Sequence, residues 1–203
     1  MNNRPDRKLI ESIRNEFDLQ TPRFYGSKGN KPMLFKDFKT FPTNKELVTR
    51  YERRKTDLEH SLSHESIEKI LFHGTPIKNF DDIKVNGCKT NMDGMHGHAG
   101  QGFYLSTLIH QAMYYQLKDV YIGDETELSV IVCKLLLGTC SDVKRATHTN
   151  CICKSCLDTP CDTHRIPYSE GRGVDKIQGF EYCSKRDDNI LPVGILRMTV
   201  SEE

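Results

Sequence analysis

The chain has no tryptophan, almost no net charge and no long apolar run. Without tryptophan, its aromatic packing must come from 9 Phe and 8 Tyr. With 29 Lys+Arg against 28 Asp+Glu, the formal net charge is +1. The global charge therefore gives no argument for a nucleic-acid partner or against one. No apolar segment reaches the roughly 20 residues that a spanning helix needs, so no membrane helix is expected. The opening Met1-Asn2-Asn3-Arg4-Pro5-Asp6-Arg7-Lys8 lacks the apolar region of a secretory leader. The expected compartment is the cytoplasm or nucleus. The 8 cysteines are accordingly read as reduced thiols or metal ligands rather than disulfides. What the chain does have is 203 residues, enough for one domain with or without an extension, and a polar but globular composition.

Leu9, Ile10, Ile13 and Phe17 recur at helical spacing over residues 8–18. Residues 21–44 have no clear period. They interleave Arg23, Lys28, Lys31, Lys36 and Lys39 with Phe24, Tyr25, Phe35, Phe38 and Phe41. Such a stretch either binds single-stranded nucleic acid by stacking and charge or straps the core with its aromatics while its lysines face water. Thr43-Asn44 caps an expected helix over 45–59, with Leu47, Val48, Tyr51 and Leu58 inward. A short strand runs from Ser66 into His73, and a helix over 76–85 stops at Asn86-Gly87. Residues 90–102 read as a Gly- and His-rich loop, 102–106 as a strand and 107–117 as a helix. The nearly continuous apolar run 128–137 predicts a central strand. Residues 140–178 read as a long irregular segment, and 180–184 and 190–200 as closing strands. The class is α+β, with a split mixed or antiparallel sheet flanked by helices. The expected division is an N-terminal helix and basic-aromatic extension over 1–43, then a main domain over 44–203 with an insertion at 140–178.

Three segments carry chemistry. A glycine after His73 at a strand end lets a ligand approach the backbone of Gly74, and the imidazole can bond a sugar hydroxyl. Alone, a His-Gly pair is more often a turn. Tyr104, with Tyr115 eleven residues later, could clamp a flat and preferably cationic ring, or simply pack. Glu181 lies between Phe180 and Tyr182 in a strand. It is either a functional carboxylate or one facing solvent.

Together these segments resemble the poly(ADP-ribose) polymerase family, the diphtheria-toxin-like branch of ADP-ribosyltransferases with a His-Tyr-Glu signature. The family's Leu-(Phe/Trp)-His-Gly-(Ser/Thr) is matched by Leu71-Phe72-His73-Gly74-Thr75. Its Gly-x-Gly-(Ile/Phe)-Tyr-(Phe/Leu) is matched by Gly100 to Leu105, and its Glu-Tyr by Glu181-Tyr182, followed by Leu191-Pro192 and an apolar strand. The strand Val130–Gly138 looks like the family's central strand. The run Asn44-x-x-Leu47-x-x-x-Tyr51-x-x-x-Lys55 resembles one that often precedes the domain. The resemblance spans about 44–200. It implies the ADP-ribosyltransferase fold, NAD+ as donor substrate, and ADP-ribose transfer to a protein acceptor or to the enzyme itself, with nicotinamide released. Carried over residue by residue, Tyr104 and Tyr115 would sandwich nicotinamide, Gly74 would fix its amide, His73 would hold a ribose hydroxyl and Glu181 would be the catalytic carboxylate. A Glu at that position permits elongation to poly(ADP-ribose) without requiring it. One departure is Ala112, where family members commonly carry a serine that bonds the carboxamide. That departure leaves room for a weakly active or inactive module that binds ADP-ribose or RNA.

Residues 148–164 concentrate His148, Cys151, Cys153, Cys156, Cys161 and His164. This spacing suits a tetrahedral structural zinc ion held by Cys153, Cys156, Cys161 and His164, with Cys151 or His148 as alternates. Disulfides and free thiols are the competing readings. A zinc clip would hold a loop of this length in place.

Overall fold

Every second residue of Ile190–Val200 is buried, and Glu127–Leu136 is buried almost throughout. The first pattern makes a strand with one face against a core. The second makes a strand covered on both faces, at the centre of a sheet. The computed structural model describes residues 7–20, 23–26, 29–42, 44–62, 68–90, 96–97, 99–117, 127–143, 161–170 and 177–200. It places these two strands side by side.

The helices are α1 (Arg7–Gln20), α2 (Lys45–Ser61), α3 (Phe80–Asn86) and α4 (Ile109–Leu117). The strands are β1 (Arg23–Gly26), β2 (Gly29–Thr40), β3 (Glu68–His73), β4 (His96–Gly97), β5 (Gly100–Gln101), β6 (Phe103–Ser106), β7 (Glu127–Leu136), β8 (Cys140–Asp142), β9 (Thr163–Glu170), β10 (Ile177–Ser184) and β11 (Ile190–Val200). Among the described residues, nine strands form one sheet in the order β1-β2-β11-β7-β3-β6-β10-β9-β8. Neighbours are antiparallel except β8 and β9, which run parallel. β4 and β5 form a separate small ribbon.

Alternation sorts the core to the two faces of the sheet. Val130, Val132, Phe72, Leu196 and Met198 meet α1 and α4 on one face. Ile131, Cys133, Leu135, Leu71 and Tyr182 meet α3 on the other. β3 pairs with β7 over six residues, but with β6 only at Phe72 and Ser106. The sheet is thus split between β3 and β6, where two longer ladders touch at one point.

The run from Asn44 to Lys55 works as an anchor. Asn44 Oδ1 accepts from the amides of Glu46 (3.0 Å) and Leu47 (3.3 Å), capping α2, while its Nδ2 donates to the Val85 carbonyl (2.7 Å). The buried Tyr51 donates to Glu68 on β3 (2.9 Å). Lys55 and Lys134 flank the same carboxylate at 3.7 and 3.0 Å. One turn on, Arg54 donates to Asp162 at 2.6 Å. Asp162 accepts from the amide and hydroxyl of Thr139 (both 3.0 Å), and its own amide donates to the Thr139 carbonyl (2.9 Å). These bonds clasp the end of β7 to the start of β9.

Three segments depart from the sequence expectation, the shortest being residues 96–101, expected as loop, which hold the β4–β5 ribbon. Residues 21–44 hold strands, and β2 pairs with β11 from Met33 to Thr40 and with β1 before that. Phe35 and Phe38 pack on the core, and Phe35 meets Phe17 edge-on at 5.6 Å. Lys36 pairs with Glu127 at 2.6 Å, and Arg197 pairs with Asp37. The aromatics in this part of the stretch thus pack as a strap would. Residues 140–178 are not irregular throughout, because they contain β8 and β9. The second is paired with β10 over eight residues. Pro167 is tolerated there because, among the described residues, β8 borders β9 only at residues 163–165, which leaves Pro167 on an edge.

Candidate active site

The split between β3 and β6 is where the expected residues gather. Ser106 stands opposite both Phe72 and Glu181, and Tyr104 stands opposite Cys183. Paired residues share a face, so Tyr104, Ser106, Glu181 and Cys183 lie on the α4 side of the sheet. Tyr115, near the end of α4 and 40% exposed, directs its hydroxyl to Glu181 Oε1 at 3.4 Å. Glu181 itself is only 5% exposed. A carboxylate removed from water to that degree needs polar partners.

His73 comes next after Phe72, so alternation turns it to the other face. There its ring stacks on Phe103 with centroids 4.1 Å apart. Its Nδ1–H donates to the Tyr104 carbonyl at 2.8 Å, bridging strands whose ladder stops one residue earlier. A carbonyl only accepts, so this bond fixes the tautomer. Burial pushes the His73 pKa down to about 4, against a smaller opposing effect of the Tyr104 carbonyl. The neutral ring presents Nε2 as an acceptor. A sugar hydroxyl at His73 would therefore donate to the ring rather than accept from it.

Tyr104 is fixed through its hydroxyl, which donates to the Gly100 carbonyl (2.6 Å) and accepts from the Ala99 amide (3.0 Å). Burial, with Cys183 and Glu181 adding to it, raises this phenol above its ordinary pKa and keeps it protonated. At Gly74, a Cβ would overlap the backbone carbonyl of Ala112 in α4. The glycine is thus required by helix packing. Ala112 is buried in the core beneath α4.

The zinc-type ligand set divides. Cys153 and Cys156, with the alternates Cys151 and His148, fall outside the described residues. Cys161 and His164 are described and adjacent, with Sγ and Nε2 3.3 Å apart. His164 is not in a loop. It lies in β9, 2% exposed, opposite Cys183. Among the described residues, no three His, Cys, Asp or Glu side chains are grouped as metal ligands.

Three contributors were missed at the level of sequence. Ser106 Oγ accepts from the Leu108 amide (2.9 Å) and bonds Gln111 (2.7 Å) at the entry to α4. A serine just before an amphipathic segment is a capping signal that could have been found. Gln20 accepts from the Ile109 amide (2.8 Å) and donates to the Thr107 carbonyl (2.7 Å). Lys185 Nζ donates to the Ala99 carbonyl (2.8 Å) and to that of Gln101. Neither residue carries a local signal, because the partners are distant in the chain.

A family model described as the poly(ADP-ribose) polymerase catalytic domain matches residues 35–172, about two thirds of the chain. The match includes His73, Gly74, Tyr104 and Tyr115 and stops before Glu181. No curated protein matches the chain closely enough to count as a relative.

Proposed function

The chain belongs to the poly(ADP-ribose) polymerase catalytic-domain family, whose activity is NAD+-dependent ADP-ribosyl transfer, and on this premise we propose that it transfers ADP-ribose from NAD+ to a protein acceptor, itself included. The observation that carries the proposal is the buried Glu181. It lies in contact with Tyr115 and in register with the strand that bears Tyr104.

In this reading Tyr104 and Tyr115 hold the nicotinamide ring, the Gly74 backbone holds its amide, and His73 Nε2 accepts from a ribose hydroxyl. The bond that breaks joins C1′ of the ribose to the pyridinium nitrogen. Nicotinamide leaves with the electron pair and becomes neutral. The ribose passes through an oxocarbenium-like state. The Glu181 carboxylate, bonded to the 2′-hydroxyl, places negative charge beside that cation, a contribution that grows in the transition state. The new bond joins C1′ to the acceptor oxygen, whose proton passes to Glu181 or solvent. A glutamate here is compatible with elongation to poly(ADP-ribose).

Incubation with labelled NAD+ tests this, with self-modification and nicotinamide release as readouts. Glu181→Gln is expected to retain NAD+ binding and lose turnover by about a hundredfold or more, as for an electrostatic group removed from a transition state. Turnover near the wild-type rate in that variant would remove Glu181 from catalysis. A second reading, a weakly active or inactive module that binds ADP-ribose or RNA, is favoured by Ala112 alone. It predicts ligand binding with no label transferred by the wild type.

We further propose a structural zinc ion held by Cys161, His164, Cys153 and Cys156. Support comes from the ligand spacing and from the approach of Cys161 to His164 at the base of the segment. The metal content of purified protein decides it.

A further inference from the structure

We infer that Lys185 is a positioning residue of the donor site, tying the turn that holds Tyr104 to the strand that carries Glu181. The inference rests on the function proposed above and extends it to a residue outside the His-Tyr-Glu set. Lys185 directly follows β10, four residues beyond Glu181. Its backbone is fixed, because its amide donates to the Asp162 carbonyl at 2.9 Å. Its ammonium group donates to the carbonyls of Ala99 and Gln101 and lies 3.4 Å from Cys183 Sγ.

The same turn is held from the other side by Tyr104, whose hydroxyl bonds the Ala99 amide and the Gly100 carbonyl. Three consecutive residues, Ala99 to Gln101, are therefore gripped by a cation and a phenol together. The turn has little freedom at its exit. A Cβ on Gly102 would lie 2.6 Å from the Ser184 carbonyl and against Cys183 Sγ. The Tyr104 hydroxyl is satisfied only while the turn stays in place. The turn is held in turn by charge-assisted bonds from the ammonium, which are stronger than neutral ones. Through this chain of contacts Lys185 sets where the Tyr104 ring stands relative to Glu181.

The role has a kinetic signature. A tyrosine that grips nicotinamide does so in the ground state and the transition state alike, so its misplacement raises KM and leaves kcat nearly unchanged. In the full chain, Lys185→Met is expected to raise the NAD+ KM and the dissociation constant of benzamide, a nicotinamide isostere, about tenfold, as for a lost charge-assisted bond. The kcat should change less than about threefold, as expected of uniform binding. Amide hydrogen exchange should quicken at Ala99, whose amide bonds Tyr104, while the core strands keep their protection. Lys185→Arg, which retains donors, should recover most of the benzamide affinity. Lys185→Gln serves as the neutral variant should Lys185→Met fail to fold. Unchanged benzamide affinity in a folded Met or Gln variant would overturn the inference, as would exchange at Ala99 equal to wild type. Benzamide binding and hydrogen exchange do not require turnover. An inactive wild type would therefore count against the proposed function and leave the test of Lys185 intact.

Discussion

Burial and one hydrogen bond decide the state of His73. Its folded pKa of about 4 lies below the ordinary histidine value near 6.5. Between these values the unfolded chain holds a proton that the folded chain lacks. Stability from this group is therefore complete above about pH 6.5 and is lost as pH falls toward 4. The full difference is worth about 3 kcal/mol at most. Denaturant titrations from pH 7 to pH 4.5 should show His73→Gln with a flatter profile than wild type, since a glutamine amide can still donate to the Tyr104 carbonyl. Parallel profiles for the two proteins would contradict the assignment. At this scale the sequence was most legible where His73, Gly74, Tyr104 and Tyr115 sit in short motifs at fixed spacing, positions that the family model also covers. The direction of the His73 bond was not legible. It depends on a carbonyl 31 residues away whose position only the sheet defines.

Among the elements, α4 and β3 constrain each other at Gly74. The Ala112 carbonyl occupies the space of a Cβ there, so Gly74→Ala must push α4 away. Tyr115, one turn past Ala112, would move with it and leave Glu181. The cost should be about 1–3 kcal/mol, the range for overpacking. That corresponds to a fall in melting temperature of several degrees for a chain of this size. A wild-type melting temperature would show that α4 is free to shift. Strands that pair with distant partners were the least legible. β2 lacks a clean alternation, and it is defined as a strand by β11, some 160 residues on, with the Asp37–Arg197 pair across the two. β9 looked irregular because Pro167 and the neighbouring cysteine-rich stretch masked its pattern. Its pairing with β10 supplies what the local sequence does not. β7 and α2 were recovered because an apolar run and an asparagine cap are local signals.

For the molecule as a whole, the site depends on both halves of a split sheet. β3 brings His73 from one ladder, while β10 brings Glu181 from the other. In the chain, the cysteine-rich stretch falls between the end of β8 and the start of β9. If zinc clips that stretch, purified protein should hold about one equivalent, and a chelator should release it and lower the melting temperature. Cysteine 161→Ser and histidine 164→Gln substitutions (C161S and H164Q) should each reduce the bound metal. Less than about half an equivalent in protein purified without chelators would count against the clip.

The clasp of Thr139 and Asp162, reinforced by Arg54, has a consequence for how this chain can vary. It joins two points 23 positions apart, so the entropy of closing that span is met by contacts outside the span itself. Doubling the length of such a span changes the closure cost by only about 0.6 kcal/mol. The part of the span that carries neither β8 nor the zinc-type ligands can therefore lengthen or shorten with little change in register between β9 and β10. The strand that carries Glu181 thus keeps its alignment with β9 when the length of that span changes.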